Sequence, residues 1–511
     1  MRWGIASFAV VASPNNKFLS RFGIYILAGL LCLPLFFINV KDSHDWGGDF
    51  AMYIMQSGNI VEGIPQSETN YIFNEDYQVL GPPAYPVGFP LLLAPVYALS
   101  GNDIKSFTLY ITSMLFVFGL LLIVFFRKYF SDLIALFLMM LVLYNYWTLM
   151  AKLEIMSDIP FALILLVLTI LYTRATRRNL MFYFLVGVLA GLLMAVRSIG
   201  IAFVITVFLY SVLEFFRMPR SGKQKAFRPL AIGTLLFIVT SLFLYFLLNK
   251  IIFPLPVAEG VPYLWMFGME SVGTTILNNL TYYIGVLKHF FTPENNTWQF
   301  ASLIMRSVAF TFVLLGMINQ IGKKTGFIDI LVLVYLGILM IYPYRHSGFR
   351  FLFPVARYIM YYLVKGLQVV KLDFFINRNA VIIFLGVFAL LLYKFSVLEI
   401  LANKDQIIPG PQEQESVKAF NYIKNNTPED AVVVFIKPRV LALYANRNSL
   451  SNNRGQNLEQ MKKKFDDKGV DYLLIHNNIS DPSLKKYIEL YADEMKLEWQ
   501  NEKFKLYAKI Y

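Results

Sequence analysis

Long apolar runs, separated by short polar segments, repeat along the first 398 residues of the chain. A run of about 17 to 25 apolar residues has the length that a helix needs to cross the hydrocarbon core of a bilayer. Eleven runs fit this length, near residues 22–40, 105–126, 130–150, 157–173, 180–196, 198–215, 229–252, 300–318, 327–343, 351–368 and 379–398. The pattern therefore predicts an all-α polytopic membrane domain with about 11 transmembrane helices over residues 1–398.

The pattern changes after residue 398, where helical periodicity alternates with short β-rich runs. It predicts helices at 413–426, 456–468 and 483–494, and strands at 431–436, at 471–475 and as a pair within 495–510. Strands that alternate with helices are typical of a small α/β domain. We therefore predict a C-terminal α/β domain over residues 399–511, which we expect to cap or to recognise a substrate while the chemistry lies elsewhere.

Composition and charge agree with a membrane protein and orient it. Hydrophobic residues make up 57% of the chain and charged residues 15%, which excludes an ordinary soluble globule. The net charge of +13 would suit a nucleic-acid partner, but the basic residues concentrate in alternate loops. If the N-terminus is cytoplasmic, the cytoplasmic segments hold 18 basic residues and the opposite face holds eight. This positive-inside bias predicts a multi-pass membrane protein with a cytoplasmic N-terminus, an extracytoplasmic C-terminal domain and no nucleic-acid partner.

Two of the predicted outer loops are long, spanning residues 41–104 and 253–299. The first loop places Asp45 and Asp49 just beyond the first predicted span. Loops carry functional residues more often than the elements they connect, so either carboxylate is a candidate for catalysis. The alternative is that Asp45 or Asp49 caps a short helix that begins at Phe50. Farther along this loop, prolines precede an apolar stretch that is too short to span a bilayer and suits a helix in the interface.

Carboxylates and arginines recur at the outer ends of later spans. Glu154 and Asp158 are four residues apart and would share one face of a helix, where they could bind a divalent metal or pair with a basic residue. From these residues alone, the salt bridge is the favoured interpretation. Arg197, Arg345 and Arg350 could extend to lipid headgroups or bind a phosphate, for which the guanidinium geometry is suited.

In their order and sidedness, these segments resemble the C-superfamily of membrane glycosyltransferases, which includes protein O-mannosyltransferases and aminoarabinose transferases of lipid A. The matching segments are Gly-Asp49-Phe-Ala-Met-Tyr53, Gly58 to Gly63, Pro82 to Pro90, Met156-Ser-Asp158-Ile-Pro160, Val196-Arg197 and Arg350-Phe-Leu-Phe-Pro354. The resemblance covers about the whole membrane part. The tail from near Glu415 is also similar to the outer C-terminal domains of bacterial members, and this resemblance implies a location in the cell inner (plasma) membrane.

The resemblance implies transfer of a hexosyl or pentosyl group from a polyprenyl-phosphate donor to an acceptor on the outer face, usually with inversion. It further implies that Asp49 is either the base that takes the proton of the acceptor or an acid that orients the acceptor. Many relatives carry a glutamate where Phe50 follows this aspartate, so Asp45 stays open as a second catalytic carboxylate.

The departing polyprenyl phosphate needs cationic stabilisation, and the candidates for its binding are Arg350, Arg345 and Arg197. Glu154 and Asp158 would either hold a divalent metal or orient these arginines. The sugar, the metal requirement and the acceptor, whether a lipid, a glycan or a protein, stay open.

A polytopic secondary transporter or a flippase of lipid-linked or polar solutes is the main alternative. Transporters keep charged residues near the bilayer midplane, in broken helices and paired repeats. This chain instead places its acidic residues in long outer loops and ends in a soluble domain. The distribution favours the glycosyltransferase.

Overall fold

The structure is a computed structural model that describes residues 16–75, 80–254, 270–287, 299–343, 348–369, 378–452 and 455–510. Within them the chain is mostly helical up to residue 402. The helices of this first part are α1 (Asn16–Cys32), α2 (Asp49–Glu62), α3 (Gly88–Ser100), α4 (Ile104–Phe126), α5 (Asp132–Leu143), α6 (Tyr146–Ala151), α7 (Asp158–Arg174), α8 (Leu180–Val196), α9 (Ile201–Arg217), α10 (Arg220–Phe246), α11 (Val272–Val286), α12 (Gln299–Lys324), α13 (Phe327–Ile341), α14 (Phe349–Leu352), α15 (Ala356–Leu367) and α16 (Arg378–Ala402).

Apolar helices dominate this first part, as the hydropathy pattern predicts. Among the described residues, the stretches long and apolar enough to cross a membrane are Ile104–Phe126, Ser198–Arg217, Phe227–Ile252 and Ile382–Ala402. Shorter apolar helices lie at Phe22–Phe36, Gly88–Ser100, Asp132–Leu143, Leu180–Val196 and Phe327–Ile341. The architecture is thus that of a helical membrane protein, while the number of about 11 spans stays a prediction.

Two helices of the membrane part, α12 and α15, touch backbone to backbone. A Cβ atom on Gly366 would lie 1.8 Å from the carbonyl oxygen of Phe312, and one on Gly316 would lie 2.0 Å from that of Tyr362. Small residues at such contacts let membrane helices approach closely and gain van der Waals packing. The two glycines therefore fix the distance between α12 and α15.

We expect the substitution Gly366→Ala to lower the melting temperature of the purified protein, because the added methyl group forces α12 and α15 apart. Overpacking of this kind costs about 1–3 kcal/mol. Gly337→Ala on α13 is the matched control, since nothing lies within 4 Å of a Cβ atom there. Equal melting temperatures for the two variants would contradict the close crossing.

The C-terminal domain is built on a five-stranded sheet with helices between its strands. Its elements are α17 (Gln414–Asn426), β1 (Val432–Val434), α18 (Pro438–Ala445), β2 (Asn448–Leu450), α19 (Leu458–Asp467), β3 (Tyr472–His476), α20 (Pro482–Leu490), β4 (Met495–Gln500) and β5 (Phe504–Lys509). The strand order is β2-β1-β3-β5-β4; β1 pairs in parallel with β2 and β3, whereas β5 pairs antiparallel with β3 and β4. The sequence pattern does not predict α18 and β2, because eight and three residues are too few to show a period.

The first outer loop inserts an aromatic side chain into this domain. The ring of Trp46 packs edge-on or tilted against Phe420, Phe435, His476 and Phe504, with ring centroids 5.8 to 6.3 Å apart. Aromatic pairs prefer such edge-to-face geometry at centroid distances of about 4.5–7 Å. Trp46 therefore anchors the loop in the core of the C-terminal domain.

The same loop also adds backbone hydrogen bonds to the edge of the sheet. Tyr71 forms a parallel bridge with Ser449 of β2. The amide of Ile72 donates to the carbonyl of Ser449 over 2.8 Å, and the amide of Ser449 donates to the carbonyl of Asn70 over 2.8 Å. The loop thus covers the outer edge of β2 and holds the domain against the start of α2.

Candidate active site

Asp49 lies at the start of α2, the helix that follows the first predicted span. Gly48 occupies the N-cap and makes no side-chain hydrogen bond, so the alternative that Asp45 or Asp49 caps a helix beginning at Phe50 is wrong. A carboxylate in the first helical turn is stabilised by the helix dipole. The side chain of Asp49 is 36% exposed, which leaves it accessible to a substrate.

One oxygen of Asp49 accepts two hydrogen bonds. The hydroxyl of Tyr85 donates to Oδ1 over 2.6 Å. Nη1 of Arg439, on α18 of the C-terminal domain, donates to the same oxygen over 3.1 Å. Among the residues that the structure describes, Oδ2 has no hydrogen-bond partner. This oxygen is therefore the one available to take a proton.

Arg439 is the residue of this site that the sequence does not predict. Its side chain is 2% exposed, and its Nη2 donates to the carbonyl of Pro82. Burial alone lowers the pKa of Arg439, but Tyr85, Tyr71 and Asp49 raise it above its usual range, so the guanidinium stays charged. The sequence could have indicated Arg439 only through its pairing with a distant residue of opposite charge. A single sequence does not show such pairs.

A second cluster centres on Asp158, the first residue of α7. This carboxylate is 2% exposed; its Oδ1 accepts from Nη1 of Arg197 and its Oδ2 accepts from Nε of Arg350 over 3.1 Å. Glu154 Oε2 lies 3.7 Å from the same Nε. Burial raises the pKa of Glu154 although the charge of Arg350 opposes it. The structure thus has a salt bridge here, the interpretation that the sequence favours, and the buried carboxylate of Asp158 joins the two arginines.

Tyr53 lies between the two clusters. Its ring stacks on that of Tyr85 at a centroid distance of 4.6 Å. Burial, together with the charge of Asp49, raises the pKa of Tyr53 to about 12, while Arg197 and Arg350 act in the opposite direction. The charge of Asp49 likewise helps to raise the pKa of Arg350, against the effect of burial. Both clusters therefore share one electrostatic environment.

Most of the predicted site residues come together in this way: Asp49, Glu154, Asp158, Arg197 and Arg350. After burial, the charges of Asp158 and Asp45 also raise the pKa of Glu154, so Asp45 lies near these residues as well. The side chain of Asp45 is 64% exposed, and its Oδ1 bonds within its own loop to the ring of His44 and to the amide of Gly47, each at 2.9 Å. Arg345 lies outside the described residues.

The described residues offer poor support for a metal. Among them, no group of three or more His, Cys, Asp and Glu side chains is placed to hold a metal ion. Asp158 already has an arginine on each oxygen, and the guanidinium groups would repel a cation. The donor set fits an anionic ligand better than a divalent metal.

The amino-acid sequence matches one family model, described as "Predicted membrane protein (DUF2079)", over residues 49–505. No curated protein matches the chain in sequence.

Three solved structures with the same fold are distant from this chain in sequence. The crystal structure of ArnT from Cupriavidus metallidurans bound to undecaprenyl phosphate is 11% identical, with a TM-score of 0.60 over 95% of this chain and 98% of that chain. The archaeal oligosaccharyltransferase AglB from Archaeoglobus fulgidus, in complex with an inhibitory peptide and a dolichol-phosphate, is 14% identical, with a TM-score of 0.55 over 91% of this chain and 70% of that chain. The arabinofuranosyltransferase AftD from Mycobacteria is 10% identical, with a TM-score of 0.51 over 96% of this chain and 40% of that chain. The chain therefore shares its fold with these three proteins, which confirms the resemblance in fold that the sequence indicates.

Proposed function

The chain belongs to the family of predicted membrane proteins called DUF2079, and we propose that it is a membrane glycosyltransferase. In this proposal it moves a hexosyl or pentosyl group from a polyprenyl-phosphate donor to an acceptor at the extracytoplasmic face, with inversion. The observation that carries the proposal is the position of a half-exposed carboxylate, Asp49, in the same electrostatic environment as the paired arginines Arg197 and Arg350.

Asp49 acts as the general base in this mechanism. Its Oδ2 takes the proton of the acceptor hydroxyl or amine while the acceptor atom attacks the anomeric carbon of the sugar. The bond between that carbon and the phosphate oxygen breaks, and its electron pair leaves with the polyprenyl phosphate. Because the leaving group is a phosphate ester, it needs no proton from a general acid. The attacking acceptor atom and the leaving phosphate oxygen lie on opposite sides of the anomeric carbon, which inverts the anomeric centre.

Arg350 and Arg197 stabilise the departing phosphate. The described hydrogen bond of Arg350 to Asp158 uses Nε. The two Nη groups of Arg350 are the donors that we assign to phosphate oxygens, in the fork geometry that suits them. Asp158 orients both arginines, and Glu154 supports Arg350. We keep Arg345 as a third phosphate ligand and Asp45 as the alternative base, both from the sequence.

Two of the structural neighbours support the class of donor. ArnT was solved bound to undecaprenyl phosphate and AglB in complex with a dolichol-phosphate. Both compounds are polyprenyl phosphates, the class of carrier that we propose here. The positive-inside bias supports a cytoplasmic N-terminus and an outward-facing site.

A transfer assay in proteoliposomes tests the proposal. The purified protein is given radiolabelled polyprenyl-phosphate sugars together with an envelope extract that supplies lipid, glycan and protein acceptors. We expect the label to leave the carrier and to appear covalently on an acceptor. Label that crosses the bilayer while still attached to its carrier would instead identify a flippase and overturn the proposal.

A further inference from the structure

The segment from Trp46 to Asp49 is held at both ends by the C-terminal domain. At one end, the ring of Trp46 lies among the aromatic side chains of that domain. At the other end, the carboxylate of Asp49 forms an ion pair with the guanidinium of Arg439. Only Gly47 and Gly48 separate these two contacts, so the domain determines where the start of α2 can lie.

The guanidinium of Arg439 connects two parts of the first outer loop. Nη1 donates to Asp49 Oδ1 and to the Tyr85 hydroxyl, each over 3.1 Å, and Nη2 donates to the carbonyl of Pro82. Gly81 makes room for it: its φ is +93°, and a Cβ atom there would lie 2.7 Å from Nη2. A planar fork with several donors fits these acceptors, whereas the ammonium of a lysine offers one point of charge.

We propose that the C-terminal domain completes the active site and that Arg439 is a positioning residue for Asp49. Arg439 and Tyr85 both donate hydrogen bonds to Oδ1 of Asp49, and these bonds fix the plane of the carboxylate. Oδ2 stays available to take the proton of the acceptor. Arg439 is too deeply buried to touch a substrate, so it acts on the rate through Asp49. The statement about rate rests on the proposed transferase function, whereas the statement about position does not.

The test compares Arg439→Gln and Arg439→Lys with Arg447→Gln. Arg447 is a matched control because it is also a buried arginine of this domain, 5% exposed. It donates to oxygens of Lys424 and Thr427 at the C-terminal end of α17, including the carbonyl of Thr427 over 2.8 Å, and to the carbonyl of Asn446 directly after α18; none of these described hydrogen bonds reaches Asp49. Its loss destabilises the domain without disturbing Asp49 directly.

In the transfer assay we expect Arg439→Gln to lower kcat by about 100-fold, the effect of misplacing a catalytic group by an ångström, with the donor KM unchanged. Arg439→Lys should recover part of this loss. Arg447→Gln should keep most of kcat. Equal losses of kcat in Arg439→Gln and Arg447→Gln, with no recovery in Arg439→Lys, would reduce Arg439 to a structural residue and overturn the proposal.

Hydrogen exchange of the full-length protein gives a readout that does not depend on activity. Arg439→Gln should speed exchange at amides 50–53 in the first turn of α2, and Arg447→Gln should speed it at the end of α17 instead. Unchanged exchange at amides 50–53 in Arg439→Gln overturns the positioning role. If the wild type transfers no sugar but these amides respond, the proposed function fails while the structural role of Arg439 stands.

Discussion

Replacing Asp49 by asparagine is expected to lower kcat of sugar transfer by roughly 10²–10⁴-fold, the range that a general base contributes. Binding of the polyprenyl-phosphate donor should not change, because the asparagine is close in shape and its Oδ1 still accepts from Tyr85 and Arg439. The amide nitrogen that replaces Oδ2 has no lone pair to take a proton. Single-turnover transfer and donor binding, measured on the same preparation, separate the two effects.

Two further aspartates of the same loop serve as comparisons for Asp49. Asp42 is 70% exposed and lies 3.3 Å from the ammonium of Lys105, so Asp42→Asn should retain full activity. Asp45→Asn distinguishes the two candidate bases, since Asp45 bonds only within its own loop among the described residues. An inactive Asp45→Asn beside an active Asp49→Asn would move the catalytic role to Asp45.

Replacing Asp158 by asparagine is expected to destabilise the protein by about 3–5 kcal/mol, the cost of removing one partner from a buried ion pair. The carboxylate is almost fully buried, and Arg197 and Arg350 would be left as two cations without their shared counter-charge. A marked fall in melting temperature and a loss of transfer activity should appear together, because the same arginines are assigned to the donor phosphate.

Asp132 provides a matched control for Asp158. It is likewise the first residue of an apolar helix and pairs with an arginine, Arg127, but its side chain is 51% exposed. Exposed pairs contribute about 0–1 kcal/mol, so Asp132→Asn should change the melting temperature little. Adding Arg197→Gln to Asp158→Asn should restore part of the stability, since it removes one unpaired cation. Equal shifts for Asp132→Asn and Asp158→Asn would contradict the buried pairing.

The clustering of Asp49, Asp158, Arg197 and Arg350 follows from a property that the sequence does show. All four residues lie at the ends of apolar runs that the charge bias assigns to one face of the membrane. Residues at the same membrane face of a helical bundle all lie within one thin layer, so their side chains can come into contact. Their exact partners, such as the two arginines on Asp158, depend on how the helices are arranged, which periodicity does not determine.

Arg439 could not be predicted in the same way. It lies in α18, a helix of eight residues that starts with Pro438, and its partner Asp49 is 390 positions away in the sequence. Nothing near Arg439 marks it as different from a solvated surface arginine. Its burial depends on the docking of the whole C-terminal domain. The sequence predicts strands and helices in this part of the chain, and the structure has a C-terminal sheet there, but periodicity gives no sign of the contact with Asp49.

The distance of 390 residues between Asp49 and Arg439 also sets when the site can exist during biosynthesis. Ribosomes add about 5–20 residues per second, so Asp49 precedes its partner by roughly 20 to 80 s. Throughout that interval the nascent chain carries the carboxylate without the guanidinium that holds it. A chain interrupted before α18 would keep the apolar helices of the membrane part but would lack Arg439, so the contact between Arg439 and Asp49 forms only after α18 has been synthesised.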